Sequence, residues 1–328
     1  MIVVTGAAGF IGSNLLAALE AQGYADIVAC DRLGDGDKWR NVAKRELADI
    51  VAPDLLFEYL ARHRHSVEVV FHLGAISATT ETDADLVVEQ NFRFSAALWA
   101  WCAEAGVPLI YASSAATYGD GSQGFDDDGS PASLARLRPL NAYGWSKHLF
   151  DRRVARLVES GAPRPPQWAG LKFFNVYGPN EYHKGSQRSV VPQIHEQVAA
   201  TGRARLFKSH NPDYPDGGQK RDFIWVGDCV DVMMWLVKNR QINGLFNCGT
   251  GTARTFLDLA NAVIAESGRA ADIDFVPTPE NIRAKYQYHT EARMERLRAA
   301  GYSKPFTALE EGVALYMRNH LRAADPYL

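Results

Sequence analysis

Short apolar runs alternate with amphipathic stretches through the first half of the chain. Met1–Thr5, Asp26–Cys30, Val67–His72, Val107–Ala112 and Ala169–Phe174 read as strands. Ile11–Gln22 places Ile11, Leu15, Leu16 and Leu19 on one stripe of a helix, and Pro53–Arg62, Ala84–Ala105 and Ala142–Glu159 have the same helical period. Strands separated by helices at this spacing predict a parallel sheet with right-handed crossovers. Asp120–Leu137 is polar and glycine-containing and reads as a loop. Beyond Asn175 the pattern is less regular. Ser209–Lys220, rich in Pro, Gly and Asp, reads as an exposed loop, followed by short elements at Asp222–Trp225, Asp228–Lys238, Leu245–Cys248 and Thr255–Ser267. The expected fold class is α/β: a doubly wound parallel sheet of the Rossmann kind with a smaller mixed α/β domain. The expected boundaries are 1–174 for the first domain and 175–328 for the second, with segments near 220–240 returning to the first.

Composition narrows the class. The chain has 328 residues, 47% hydrophobic and 22% charged, which is the ordinary globular range. Its net charge of −3 weighs against a nucleic-acid partner. No apolar run approaches the ~18 residues of a membrane span, and Met1–Gly6 does not begin a signal peptide. The four cysteines form no CxxC pair, so neither a disulfide framework nor a metal site is expected. These features point to a cytoplasmic protein with reduced, buried thiols. His63-x-His65 reads as a solvated helix end and Asp126-Asp127-Asp128 as a solvated turn. Trp99 and Trp101, on the long helix, are candidates for a subunit contact.

Gly6-x-x-Gly9-x-x-Gly12 lies between the first strand and the first helix. The glycines allow the tight turn, the close approach of a pyrophosphate and close helix–strand packing. The helix N-terminus offers free N–H groups and the positive end of its dipole. Asp31 ends the second strand, about 20 residues past Gly12, where a ribose-binding acid is expected. Arg32 and Lys38 suit a 2′-phosphate, which favours NADP over NAD; surface charge is the alternative reading for both.

Tyr143-x-x-x-Lys147 puts two side chains on one helical face. Ser114 follows a strand, at the carboxyl end where open α/β sheets bind ligands. Together they suggest proton transfer to and from a substrate hydroxyl while hydride moves to a nicotinamide. A free tyrosine has a pKa of ~10, so phenolate near pH 7 needs ~4 kcal/mol of differential stabilisation, which a neighbouring ammonium and a cationic ring favour.

These motifs, with Gly74-Ala75, Asn91, Ser113-Ser114 and Phe174-Asn175-Val176-Tyr177-Gly178-Pro179, make the chain resemble the extended short-chain dehydrogenase/reductases. His72-x-Gly74-Ala75-x-Ser77-x-Thr79-Thr80-Glu81, Tyr111 to Gly119, His183-Lys184-Gly185-Ser186, Lys220-Arg221-Asp222-Phe223 and Arg298 to Tyr302 resemble the ADP-L-glycero-D-manno-heptose 6-epimerase family over nearly the whole chain. That resemblance implies NADP-dependent oxidation of the heptose at C6, turning of the ketone and hydride return to the opposite face, on an ADP-heptose that feeds the lipopolysaccharide core. It also implies a homo-oligomer.

The same resemblance implies a catalytic set of Ser114, Tyr143, Lys147 and Lys184. Two faces require two acid/base groups, and His183 is a candidate modulator of Lys184. It implies cofactor contacts at Gly6, Gly9, Phe10, Ile11, Gly12, Asp31, Arg32, Lys38, Leu73, Gly74, Ala75, Ile76, Ser77, Asn91, Tyr143, Lys147, Val176 and Lys184. Substrate contacts are implied at Asn175, Ser186, Gln193, Phe207, Lys208, Ser209, His210, Arg221 and Tyr286. For Arg221 the residues themselves leave open a surface ion pair with Asp222 or Asp228. The chain departs from the family at Pro53, where a phosphate-binding lysine is expected, at Leu73 in place of an acid, and at Gln193 in place of a histidine. Ala115-Ala116 after Ser114 argues against a 4,6-dehydratase, whose Asp-Glu pair would sit there. A hexose 4-epimerase, which does not require Lys184, is the alternative enzyme. A non-catalytic NADP-sensing protein would commonly have lost Tyr143 or Lys147.

Overall fold

The computed structural model describes residues 1–283 and 286–328. Twelve strands are named in chain order: β1 (Ile2–Thr5), β2 (Ile27–Cys30), β3 (Asp49–Val51), β4 (Val69–His72), β5 (Leu109–Ser114), β6 (Trp168–Phe173), β7 (Asn175–Tyr177), β8 (Arg203–Phe207), β9 (Lys220–Trp225), β10 (Gly244–Cys248), β11 (Ala253–Thr255) and β12 (Asp272–Val276). Seven form one sheet in the order β3-β2-β1-β4-β5-β6-β10, with every neighbour parallel. β1, β2, β4, β6 and β10 are buried at every position. Helices cover both faces of such a sheet, which is why these strands read as mostly apolar runs, interrupted by His72, Lys172 and Asn247. The strand order reverses around β1, between β2 and β4, and a ligand crevice is expected at the carboxyl ends there.

Strand β5 is shifted from its expected span. Gly106 adopts a left-handed φ of 70° and ends the preceding helix, and Val107 N–H donates back to Cys102 O. The strand therefore starts at Leu109 and runs on through Ser113 and Ser114, which pair with Lys172 and Phe173 of β6. The expected helix 84–105 forms, but its turns widen to i→i+5 hydrogen bonding over Val88–Arg93. Trp99 on that helix is buried edge-on to Trp168 and Phe150, so it belongs to this chain's own core rather than to a subunit contact. His63 stacks on Tyr59 at the end of its helix.

The smaller part comprises a three-stranded sheet, β11-β9-β7, and the parallel pair β8–β12. A second apolar core lies among helices Val190–Thr201, Phe256–Ser267 and Leu309–Tyr316. The first core also takes in Cys229, Val232, Met233 and Leu236 of helix Val226–Lys238, which packs on helix Phe10–Ala21. The Ser209–Lys220 stretch is not exposed throughout: Gly217, Gly218 and Gln219 are buried, and the Gln219 amide donates to Phe207 O. All four cysteines are buried and free.

The Asp126–Asp128 turn also differs from expectation. Asp127 is buried, accepts from Asn247 N–H at 2.7 Å and lies 3.6 Å from Arg296. Burial outweighs both and pushes its carboxyl up to about 6. The folded state then holds this proton more tightly than the unfolded chain does. The stability it contributes is present below about pH 4 and lost as pH rises through about 6. Asp127→Asn cannot ionise and keeps an acceptor for Asn247. Its urea midpoint relative to the native protein is expected to rise between pH 4 and pH 7; a constant difference would contradict the assignment.

Candidate active site

The turn from β1 into the first helix has the shape of a phosphate cradle. Gly6 has φ +67°, and a Cβ there would lie 2.6 Å from Gly74 Cα, so the β1 and β4 turns meet this closely because residue 6 is glycine. A Cβ on Gly12 would run into Gly6 O. The helix starts at Phe10 with no side chain capping its N-terminus, which leaves its first N–H groups for an anion. At the end of β2, Asp31 accepts from Ala8 N–H at 2.8 Å and from Lys38 Nζ at 2.6 Å. Arg32 pairs with Asp54 at 2.6 Å and donates to Gln90. These groups fit a dinucleotide: a glycine cradle for the pyrophosphate and an acid for the ribose.

Asn91 is fully buried and acts from behind. Its amide donates to Ile76 O and Ser146 Oγ and accepts from Ile76 N–H, while Ser146 Oγ donates to Tyr143 O. It thus ties the Gly74–Ser77 loop to the helix carrying Tyr143, from the widened turns, and does not face the cleft.

Helix Ala142–Glu159 is capped by Asn141, whose side chain accepts from Gly144 N–H. Lys147 is buried and donates to Ala112 O at 2.9 Å. Burial lowers its ammonium to about 8, against the pull of Asp151. Burial raises the Tyr143 phenol, and the hydrogen bond with Ser114 pulls it back. One turn on, Asp151 pairs with Lys172 of β6 at 2.7 Å and accepts from Ser113 Oγ at 2.7 Å, all out of solvent. Sequence reading missed this pair; the signal was a lysine inside an otherwise apolar strand.

Lys184 lies on a short turn of helix, Tyr182–Gln187, that swings across to the cradle. Its Nζ is 5.5 Å from the Phe10 ring centroid. Burial lowers its pKa, and Glu181 opposes that. His183, the candidate modulator, is neutral rather than cationic near pH 7: burial lowers its ring to about 4, and it faces Asn41 Nδ2 at 3.1 Å.

A single cleft of about 800 Å³ is lined by Gly6, Gly9, Phe10, Ile11, Gly12, Asp31, Arg32, Lys38, Leu73 to Ser77, Ser114, Tyr143, Lys147, Asn175, Val176 and Lys184. Ser186 is exposed outside this lining. Gln193 is turned away, its amide donating to Arg188 O and Ser189 O. Gln187, Arg188 and Ser189 line the cleft instead and were not anticipated.

Phe207, Lys208, Ser209, His210, Arg221 and Tyr286 do not line this cleft; Arg221 lies against Phe256, which does. The Phe207 and Tyr286 rings are 6.4 Å apart. Ser209 and His210 are held in loop contacts, to Asn211 and to Thr278 and Tyr288, and Lys208 is exposed. The Arg221 guanidinium is buried between the Phe256 and Tyr286 rings, at 5.5 and 5.3 Å. No carboxylate pairs with it among the described residues. Asp222 is taken by Thr250, Gly251 and Ala292, and Asp228 by Thr307. The ion-pair alternative for Arg221 is therefore closed, and a buried cation without a counter-charge is a place for an anion.

Residues 2–249 match the NAD dependent epimerase/dehydratase family. The chain belongs to this family. It is 50% identical, over the full length of both chains, to an ADP-L-glycero-D-manno-heptose-6-epimerase of Nitratidesulfovibrio vulgaris (strain DP4). The solved ADP-L-glycero-D-manno-heptose-6-epimerase of Helicobacter pylori superposes with a TM-score of 0.80 at 25% identity, covering 97% of this chain and 95% of that one. The UDP-glucose 4-epimerase of Thermus thermophilus, solved with NAD, superposes at 0.76 with 25% identity, over 98% and 99%. As a member of the NAD dependent epimerase/dehydratase family, this chain is an epimerase with a Rossmann α/β fold that uses a nicotinamide dinucleotide. Among the described residues no helix is long and apolar enough to cross a membrane.

Proposed function

We propose that the chain inverts C6 of ADP-D-glycero-D-manno-heptose to give the L-glycero epimer, with NADP as the held cofactor. The product is the heptose precursor of the lipopolysaccharide core. The observation that carries this reading is the presence of two separate acid/base groups, Tyr143 and Lys184, on different elements lining one cleft beside the glycine cradle. Residues 1–174 hold the dinucleotide, and 175–328 mainly the nucleotide sugar.

Held by the Gly6–Gly12 cradle and Asp31, a nicotinamide dinucleotide would supply the acceptor and donor of the C6 hydride. Ser114 hydrogen-bonds the C6 oxygen. Tyr143 exchanges a proton with it on one face; burial raises its phenol, and the Lys147 ammonium one turn on, still protonated at pH 7 with a pKa of about 8, is the charge that would favour the phenolate. Lys184, partly desolvated beside Phe10, serves the opposite face. Asn175 holds the sugar, and Arg221 with Phe207 and Tyr286 holds the ADP, its guanidinium gripping the diphosphate.

At the adenosine end, the Lys38–Asp31 pair neutralises the carboxylate that would repel a 2′-phosphate. Arg32 stands beside it as a second cation. Arg32→Ala is expected to weaken NADP more than NAD in equilibrium titration; equal weakening would contradict the 2′-phosphate contact. For the reaction itself, the protein with NADP and ADP-D-glycero-β-D-manno-heptose is expected to give a mixture of the C6 epimers by NMR. No conversion, with turnover of a hexose nucleotide, would establish the 4-epimerase reading instead.

A further inference from the structure

Residues 325–328 pack against both halves of the site. Tyr327 is buried, with its ring edge-on to Tyr182 at 5.2 Å and under the Arg40 guanidinium at 4.6 Å. The backbone around it is tied at three points. Lys44 Nζ donates to Tyr327 O at 2.6 Å, Tyr182 OH donates to Pro326 O at 3.0 Å, and Leu328 N–H donates to Asn180 Oδ1 at 3.0 Å. Asp325 adds an ion pair with Lys44. The partners come from two stretches far apart in sequence. Arg40 and Lys44 follow Lys38 on the dinucleotide side, and Asn180 and Tyr182 closely precede Lys184.

Asn180 is the node between them. It is fully buried and holds a left-handed φ of 70°, a strained conformation for a non-glycine residue that persists where its surroundings enforce it. Its amide donates to Ser13 on the fingerprint helix, and its carbonyl accepts from Asn41 Nδ2. Asn41 also reaches Ala8 O, in the cradle, and His183. Lys184 N–H donates to Glu181 O, so Lys184 rides on the same turn.

We infer that residues 325–328 are a clamp that holds the Asn180–Lys184 turn against the dinucleotide side, with Tyr327 as the positioning residue. Tyr327 lines no part of the cleft; its ring acts through Tyr182, and seats the Leu328 N–H on Asn180, to set where the Lys184 ammonium sits. The inference rests on the acid/base role assigned to Lys184.

The test compares Tyr327→Ala, Tyr327→Phe, Lys184→Met and the double variant Tyr327→Ala/Lys184→Met. Turnover and NADP affinity are measured on each. A displacement of about 1 Å at a reacting group costs up to ~10² in rate, so Tyr327→Ala should lose at least about tenfold in kcat. Its NADP Kd should be unchanged. Tyr327→Phe keeps the ring and should restore turnover. The double variant should be no slower than Lys184→Met alone, because both changes remove the same function. Wild-type turnover in Tyr327→Ala, a parallel loss of NADP binding, or a multiplicative loss in the double variant would each overturn the clamp. Wild-type turnover in Lys184→Met would instead remove the reading on which it rests.

Discussion

Tyr143→Phe is expected to cut epimerisation by about 10² or more, the cost of losing a general acid/base. The substitution removes one oxygen and leaves the ring in its place. The helix cap at Asn141, the Lys147 contact with Ala112 O and the Asn91–Ser146 tie to the Tyr143 carbonyl are all unaffected. Folding and NADP affinity should therefore stay near those of the native protein. What is lost is the phenol between Ser114 and the reacting oxygen. Ser114 can still hydrogen-bond that oxygen, but a serine hydroxyl is too weak a base to replace phenolate. The measurement is kcat on the ADP-heptose alongside a thermal melt. A near-native rate would contradict the role given to Tyr143.

Lys184→Met is expected to lower turnover by a similar factor, again about 10², for a different reason. Methionine keeps a flexible unbranched side chain but loses the ammonium over the Phe10 ring and cannot carry a proton. Burial already lowers the Lys184 ammonium, and Glu181, itself held by Ser189 and Tyr316, restrains that shift. The glycine cradle, Asp31 and Lys38 do not involve Lys184, so NADP should bind as before. Equilibrium titration of the variant decides the matter. Lost NADP affinity with modest loss of turnover would make Lys184 a cofactor ligand instead.

The parts of this molecule legible in the sequence are those where one short stretch contains the whole reason for the structure. β1, β4 and β6 are buried on both faces and announce themselves as apolar runs. Gly6, Gly9 and Gly12 sit where the strand turns into the helix, and Tyr143 and Lys147 are one helical turn apart. What was not legible depends on partners far along the chain. β3 and β8 mix exposed and buried positions over only a few residues, and their pairing with β2 and β12 makes them strands. Asp127 looks like its two aspartate neighbours until Asn247 covers it. Gln193 falls close to a stretch that lines the cleft, but its amide is spent on the start of its own helix. Arg221 gains its meaning from the absence of a carboxylate partner among the described residues, which only the three-dimensional engagement of Asp222 and Asp228 reveals.

The most direct measurement uses ADP-D-glycero-β-D-manno-heptose carrying deuterium at C6, incubated with the protein and NADP in ordinary water and followed by NMR to equilibrium. If C6 is oxidised and reduced within one active site, the L-glycero epimer should form with its deuterium retained at C6. Formation of the epimer with deuterium exchanged for solvent hydrogen would contradict hydride transfer and return, and with it the roles assigned to Tyr143 and Lys184.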